Sequence, residues 1–129
     1  MIYTGIDIIE IARFERAIQR HGQGFLNRIF TPEELADCVG RVTSLAARWA
    51  AKEAAAKMLG LGLRGIGAGV GSSALPWHSI EIRRDGHGRP IISLHAEAAE
   101  QAQALAIQSI ALSLSHTREH AIASVIGTT

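Results

Sequence analysis

The stretch Ser44–Leu59 (SLAARWAAKEAAAKML) constrains this chain more than any other. Seven of its sixteen residues are alanine, nearly all the rest are good helix formers, and Gly60 follows as a C-terminal stop. Alanine faces pack closely, yet each buries little area, at roughly 25 cal/mol per Å². A core built on such a helix favours association with further copies of the chain. The remainder narrows the class. With 129 residues, 47% apolar and 19% charged, one globular domain spanning 1–129 is expected, and a disordered or fibrous chain is excluded. No apolar run approaches the ~20 residues of a membrane span, and no basic-then-apolar leader opens the sequence. Cys38 stands alone, without a partner for a disulfide or a zinc cluster. A net charge of +1 favours neither nucleic acid nor a membrane surface as partner. These features describe a soluble, cytoplasmic protein.

Around that helix the elements alternate in character. Met1–Ile9 is rich in β-branched residues and reads as a strand. From Glu10 to about His21, Ile11, Phe14, Ala17 and Ile18 recur at helical spacing, and Gly22 and Gly24 end the helix. Thr31-Pro32-Glu33-Glu34 is a capping box opening a short helix that stops near Gly40. A glycine-rich loop covers Gly60–Ser73. HSIEIRR and Pro90–Leu94 form a hairpin across Asp85-Gly86-His87-Gly88. Ala96–Ala106 is helical, and SIALSLS and AIASVI make a second hairpin with its tip at His116–His120. The fold class is α+β: about five mainly antiparallel strands with helices packed against the sheet.

Two motifs fail on context. Gly60-Leu61-Gly62-Leu63-Arg64-Gly65 matches G-x-G-x-x-G, but a helix precedes it where a dinucleotide site needs a strand. His116-Thr117-Arg118-Glu119-His120 matches H-x-x-E-H, but zinc chemistry needs both histidines on one helical face and these lie on a hairpin tip, where His120 is expected to be solvated. Two acids are harder to dismiss. Asp7 lies in an apolar strand between Ile6 and Ile8, where an unpaired carboxylate is costly. Glu53 lies mid-helix, with Trp49 at i−4 and Lys57 at i+4. Either Asp7 pairs with an arginine and Glu53 with Lys57, or both carboxylates converge on one hard cation such as Mg²⁺.

Gly5-Ile6-Asp7-Ile8, Phe30-Thr31-Pro32-Glu33-Glu34-Leu35, Arg48-Trp49-Ala50-Ala51-Lys52-Glu53-Ala54, Gly88-Arg89-Pro90 and Leu112-Ser113-Leu114-Ser115-His116 follow one another in this order. Together they resemble the holo-[acyl-carrier-protein] synthases, the small 4′-phosphopantetheinyl transferases, over essentially the whole chain. The resemblance implies Mg²⁺-dependent transfer of phosphopantetheine from coenzyme A to a serine of an acyl carrier protein, in fatty acid biosynthesis. It implies metal ligation by Asp7 and Glu53, with Lys57 near the pantetheine phosphate. Arg48, Arg89 and Pro90 fall where the family contacts the nucleotide. His116 and Thr117 match a hairpin tip that reaches coenzyme A from a neighbouring subunit of a homotrimer. The nucleophile comes from the carrier protein, so no Ser-His-Asp set is expected; Glu53, a metal-bound water or His116 could accept its proton.

Arg13, Arg16 and Arg20 make a basic stripe at i, i+3 and i+7 on the first helix. They are either a solvated face paired with Glu10 and Glu15 or, as the resemblance implies for Arg13 and Arg20, the dock for an acidic carrier-protein helix. The chain departs from the family in three places, one of them the Gly60–Ser73 loop, which is longer and richer in glycine than usual. Ile9 replaces the second acid of the D-x-E pair in larger transferases, and Ala111 stands where many members have a histidine. The competing functions are a transferase dedicated to a polyketide or multi-enzyme synthase, a non-catalytic coenzyme A-binding module, and a zinc hydrolase.

Overall fold

The computed structural model describes residues 1–65 and 74–129; the second half of the glycine-rich loop, 66–73, lies outside the described residues. Among the described residues, five strands and four helices follow in the order β1 (Ile2–Glu10), α1 (Ile11–Ile29), α2 (Pro32–Cys38), α3 (Val42–Leu59), β2 (Ile80–Arg84), β3 (Pro90–Leu94), α4 (Ala96–Ala104), β4 (Ser109–His116) and β5 (His120–Thr128). A 3-10 turn at Trp77–Ser79 leads into β2. All the strand pairs are antiparallel, as expected, but they divide into two sheets, β1-β5-β4 and β2-β3. Among the described residues, no helix is long and apolar enough to cross a membrane.

The alanine-dense α3 is the axis of the fold. Its residues Ala46, Ala50, Ala51, Ala54 and Ala55 are buried on several sides, against the three-stranded sheet and against α1, α2, α4 and β2. Small side chains let the backbones approach, and the closest approach is at Gly5. A Cβ built there would lie 1.9 Å from the Ala54 carbonyl oxygen and 2.8 Å from the Met58 nitrogen. Only glycine fits between β1 and α3 at this point.

A second anchor was not anticipated. Lys52 and Glu34 form a fully buried ion pair at 2.8 Å. The Lys52 ammonium also donates to the carbonyls of Trp77 and Ile80. Glu34 accepts from the Thr31 N–H at 2.9 Å, closing the expected capping box, and from the Ile82 N–H at 3.0 Å. Every polar atom of the pair is thus satisfied, the condition under which buried charge is tolerated. Burial nonetheless pulls the Lys52 pKa below its ordinary value, with Glu34 opposing. The pair ties α2, α3 and β2 together.

Helix α1 differs from expectation. Gly22 does interrupt it, with φ 68° and ψ −154°, but helical structure resumes and runs to Ile29. The resumption is favoured by Phe25, whose ring packs at a tilt against Phe14 and edge-on against Trp49 and draws the second half onto the core. Helix α4 ends at Ala104 rather than Ala106, because Ala106 takes a left-handed φ of 60° as the chain turns into β4.

Candidate active site

The β1–α3 contact that Gly5 permits also builds the site. Along β1, Gly5, Asp7 and Ile9 share one face, while Thr4, Ile6 and Ile8 are exposed on the other. Asp7 therefore emerges beside α3, one turn of which carries Glu53 and the next Lys57. All three line a cleft of about 890 Å³ that runs between β1, α1 and α3, with Arg13, Trp49 and His120 also on its walls.

The polar contacts within it are specific. Lys57 donates to Asp7 Oδ1 and to the Ile6 carbonyl, both at 3.0 Å, while more than half of its side chain stays exposed. Asp7 thus has an ion-pair partner, but it is Lys57 and not the arginine expected in one of the two alternatives. Glu53 is not bonded to Lys57; it accepts a hydrogen bond from the Trp49 indole Nε1–H at 3.3 Å. Burial pushes the Glu53 pKa up; the Trp49 bond opposes that, and the Asp7 charge adds to it. Two carboxylates that repel each other across a cleft are a donor set for a hard divalent cation, which takes one or two carboxylates and leaves its other positions to water and phosphate.

The whole chain carries the same relationship. Residues 3–125 match the 4′-phosphopantetheinyl transferase superfamily. The chain belongs to this family. It is 51% identical to a holo-[acyl-carrier-protein] synthase of Chloroflexus aurantiacus, over 98% of this chain and 97% of the relative. It also superposes on the solved holo-[acyl-carrier-protein] synthase of Helicobacter pylori in complex with coenzyme A, with a TM-score of 0.80, 34% identity and 99% and 100% of the two chains covered. The Neisseria meningitidis holo-[acyl-carrier-protein] synthase gives a TM-score of 0.81 at 31% identity, covering both chains in full.

Within this family member, the residues expected at the site divide into three groups. Asp7, Glu53 and Lys57 meet in the cleft, and Arg13 lies on its wall. Arg20, Arg89, His116 and Thr117 are exposed, Pro90 is half-buried, and none of the five lines the cleft of its own chain. Arg48 lies outside the cleft of its own chain. It is only 3% exposed, donates to the Ile82 carbonyl at 2.8 Å and pairs with Asp37 at 3.5 Å, so its guanidinium ties α3 to β2.

His120 corrects the opposite way. It is half-buried and lines the cleft, because its register partner in the sheet is Glu10, at the mouth of the β1–α1 junction. Spacing within the hairpin gave no hint of this. Only the β1–β5 register could have revealed it. His116 closes β4 and His120 opens β5, so the zinc-type arrangement on one helical face does not form.

Proposed function

We propose that this chain is a holo-[acyl-carrier-protein] synthase, transferring 4′-phosphopantetheine from coenzyme A to a serine of apo acyl carrier protein in the cytoplasm. The observation that carries this is the meeting of Asp7, Glu53 and Lys57 across the β1–α3 contact, in a chain of this family. The serine oxygen bonds to the phosphorus of the phosphopantetheine phosphate. The bond from that phosphorus to the oxygen shared with the adenosine-bearing phosphate breaks, and adenosine 3′,5′-bisphosphate leaves with the bonding pair.

Asp7 and Glu53 would hold Mg²⁺, which when bound offsets the negative charge that gathers on the diphosphate during displacement. The chain's own groups do the rest. The Lys57 side chain is more than half exposed, and turning its ammonium from Asp7 to a phosphate oxygen would place a point charge where negative charge builds. Among the chain's side chains, Glu53 and His116 are the groups with the chemistry to accept the serine proton. Arg89 and Pro90 lie at an exposed turn suited to the nucleotide end of coenzyme A. Asp85 Oδ1 there accepts from the Arg89 N–H at 2.9 Å and fixes the turn.

The assembly we propose is a homotrimer, with His116 and Thr117 of one copy completing the cleft of the next. Support comes from the sheet's outer face, where Ile2, Ile6, Ile8 and Ile126 are 42–67% exposed. Contiguous apolar side chains on a monomer surface mark an interaction site. The basic stripe of α1 faces outward beside the cleft mouth, and Arg13 and Arg20 there suit an acidic carrier-protein helix.

Intact-protein mass spectrometry of an apo acyl carrier protein tests the transfer. Incubation with this chain, coenzyme A and Mg²⁺ should add one phosphopantetheine mass, and EDTA should prevent it. Coenzyme A binding without any mass gain on several apo carriers would leave a binding module instead.

A further inference from the structure

We infer that Trp49 is a positioning residue for Glu53: its clamped indole fixes the direction of the carboxylate in the β1–α1–α3 cleft. The inference rests on the metal-site reading above and concerns what aims the ligand, rather than what it binds. Glu53 projects from a stretch of buried alanines that offer it no polar contact, and Lys57 is engaged with Asp7 and Ile6. Among the described residues, the hydrogen bond from Trp49 Nε1 to Glu53 Oε1 is the one side-chain contact that orients this carboxylate.

The indole has little freedom to move. It meets Phe14 edge-on at 4.8 Å between ring centroids, Phe25 at 5.7 Å and Trp77 at 5.9 Å. Tilted and edge-on contacts of this kind favour one ring orientation over its alternatives. Trp77 is itself fixed at two points. Its indole donates to the Arg64 carbonyl at 2.9 Å, and its own carbonyl accepts from Lys52 at 3.0 Å. The buried Lys52–Glu34 pair is therefore linked to Glu53 through two aromatic rings. A rotating glutamate would have to be ordered when a cation binds; a carboxylate already aimed by a rigid donor avoids that loss.

The test is Trp49→Phe, which keeps a ring in the aromatic cluster and removes only the N–H donor. Mn²⁺ alone serves as the probe, titrated into the full chain and followed by electron paramagnetic resonance of the free ion, beside Glu53→Gln and Glu10→Gln. The second readout is the Trp49 indole N–H resonance, which stands out because the chain has two tryptophans. Trp49→Phe should weaken Mn²⁺ about tenfold, the low end for loss of a group that supports a ligand. Glu53→Gln should weaken it further, and Glu10→Gln should leave it unchanged. Glu53→Ala should move the Trp49 resonance and leave that of Trp77 in place.

Wild-type Mn²⁺ affinity in a folded Trp49→Phe variant would overturn the positioning role while leaving the metal site intact. So would a Trp49 resonance indifferent to Glu53→Ala. Wild-type protein that binds no Mn²⁺, or binds it equally after Glu53→Gln, would sink the metal reading and the positioning role with it.

Discussion

Gly5→Ala perturbs the contact on which both fold and site depend. The added methyl carbon would stand 1.9 Å from the Ala54 carbonyl oxygen and 2.9 Å from its carbon, both backbone atoms that cannot swing aside. Relief requires β1 and α3 to separate by about 1 Å, and a gap of that size forfeits a quarter to a half of the dispersion energy across the contact. Overpacking of this kind costs about 1–3 kcal/mol, and the rigidity of both partners puts this case at the upper end. For a chain of this length, 3 kcal/mol is a fall in Tm of roughly 10 °C.

The same displacement moves Asp7 away from Glu53, and a misplacement of about 1 Å at a reacting centre can cost roughly 10²-fold in rate. Thermal unfolding by circular dichroism and phosphopantetheine transfer at 15 °C, where the variant stays folded, read the two effects separately. A Gly5→Ala protein with wild-type Tm and wild-type transfer would refute the claim that the β1–α3 approach sets the site.

Other expectations follow from the same contacts. Lys52→Met strands Glu34 as a buried unpaired carboxylate and should cost about 3–5 kcal/mol in urea unfolding, part of it recovered in Lys52→Met/Glu34→Gln. Burial alone would raise the Asp37 pKa, but the bonds and charges of Arg83 and Arg48 overcome it and hold the folded value below the ordinary one. That stabilisation is complete above the unfolded carboxylate pKa and is lost as pH falls through the folded value. Unfolding measured below about pH 4 should therefore show an acid limb that Asp37→Asn flattens. Arg13→Ala and Arg20→Ala should raise the carrier-protein KM several-fold with the coenzyme A KM unchanged; an unaltered carrier KM would remove α1 from docking.

What the sequence disclosed follows from what is local. The strands, the capping box at Thr31, the α3 helix and the hairpins are set by residues within a few positions of each other, and all of them formed. That Asp7 and Glu53 share one cleft was one of two readings the sequence left open, because each acid stands out against its apolar neighbours. Arg48 and Lys52 were not legible, because their burial is decided by β2 some thirty residues on. An arginine that closes a helix–sheet contact carries the same local signature as one that meets a phosphate. His120 was missed for a related reason. Its place in the cleft depends on the β1–β5 register, which spans nearly the whole chain. The continuation of α1 past Gly22 came from Phe25 docking on Trp49, a tertiary contact that outweighs the local break.

The most direct test of the account is anomalous diffraction from crystals grown with coenzyme A and Mn²⁺. The account predicts one Mn²⁺ peak per chain within ligand distance of both Asp7 and Glu53, with the coenzyme A diphosphate against it and Lys57 turned from Asp7 to a phosphate oxygen. A peak elsewhere, such as between His116 and His120, or coenzyme A bound with its diphosphate away from these carboxylates, would contradict it.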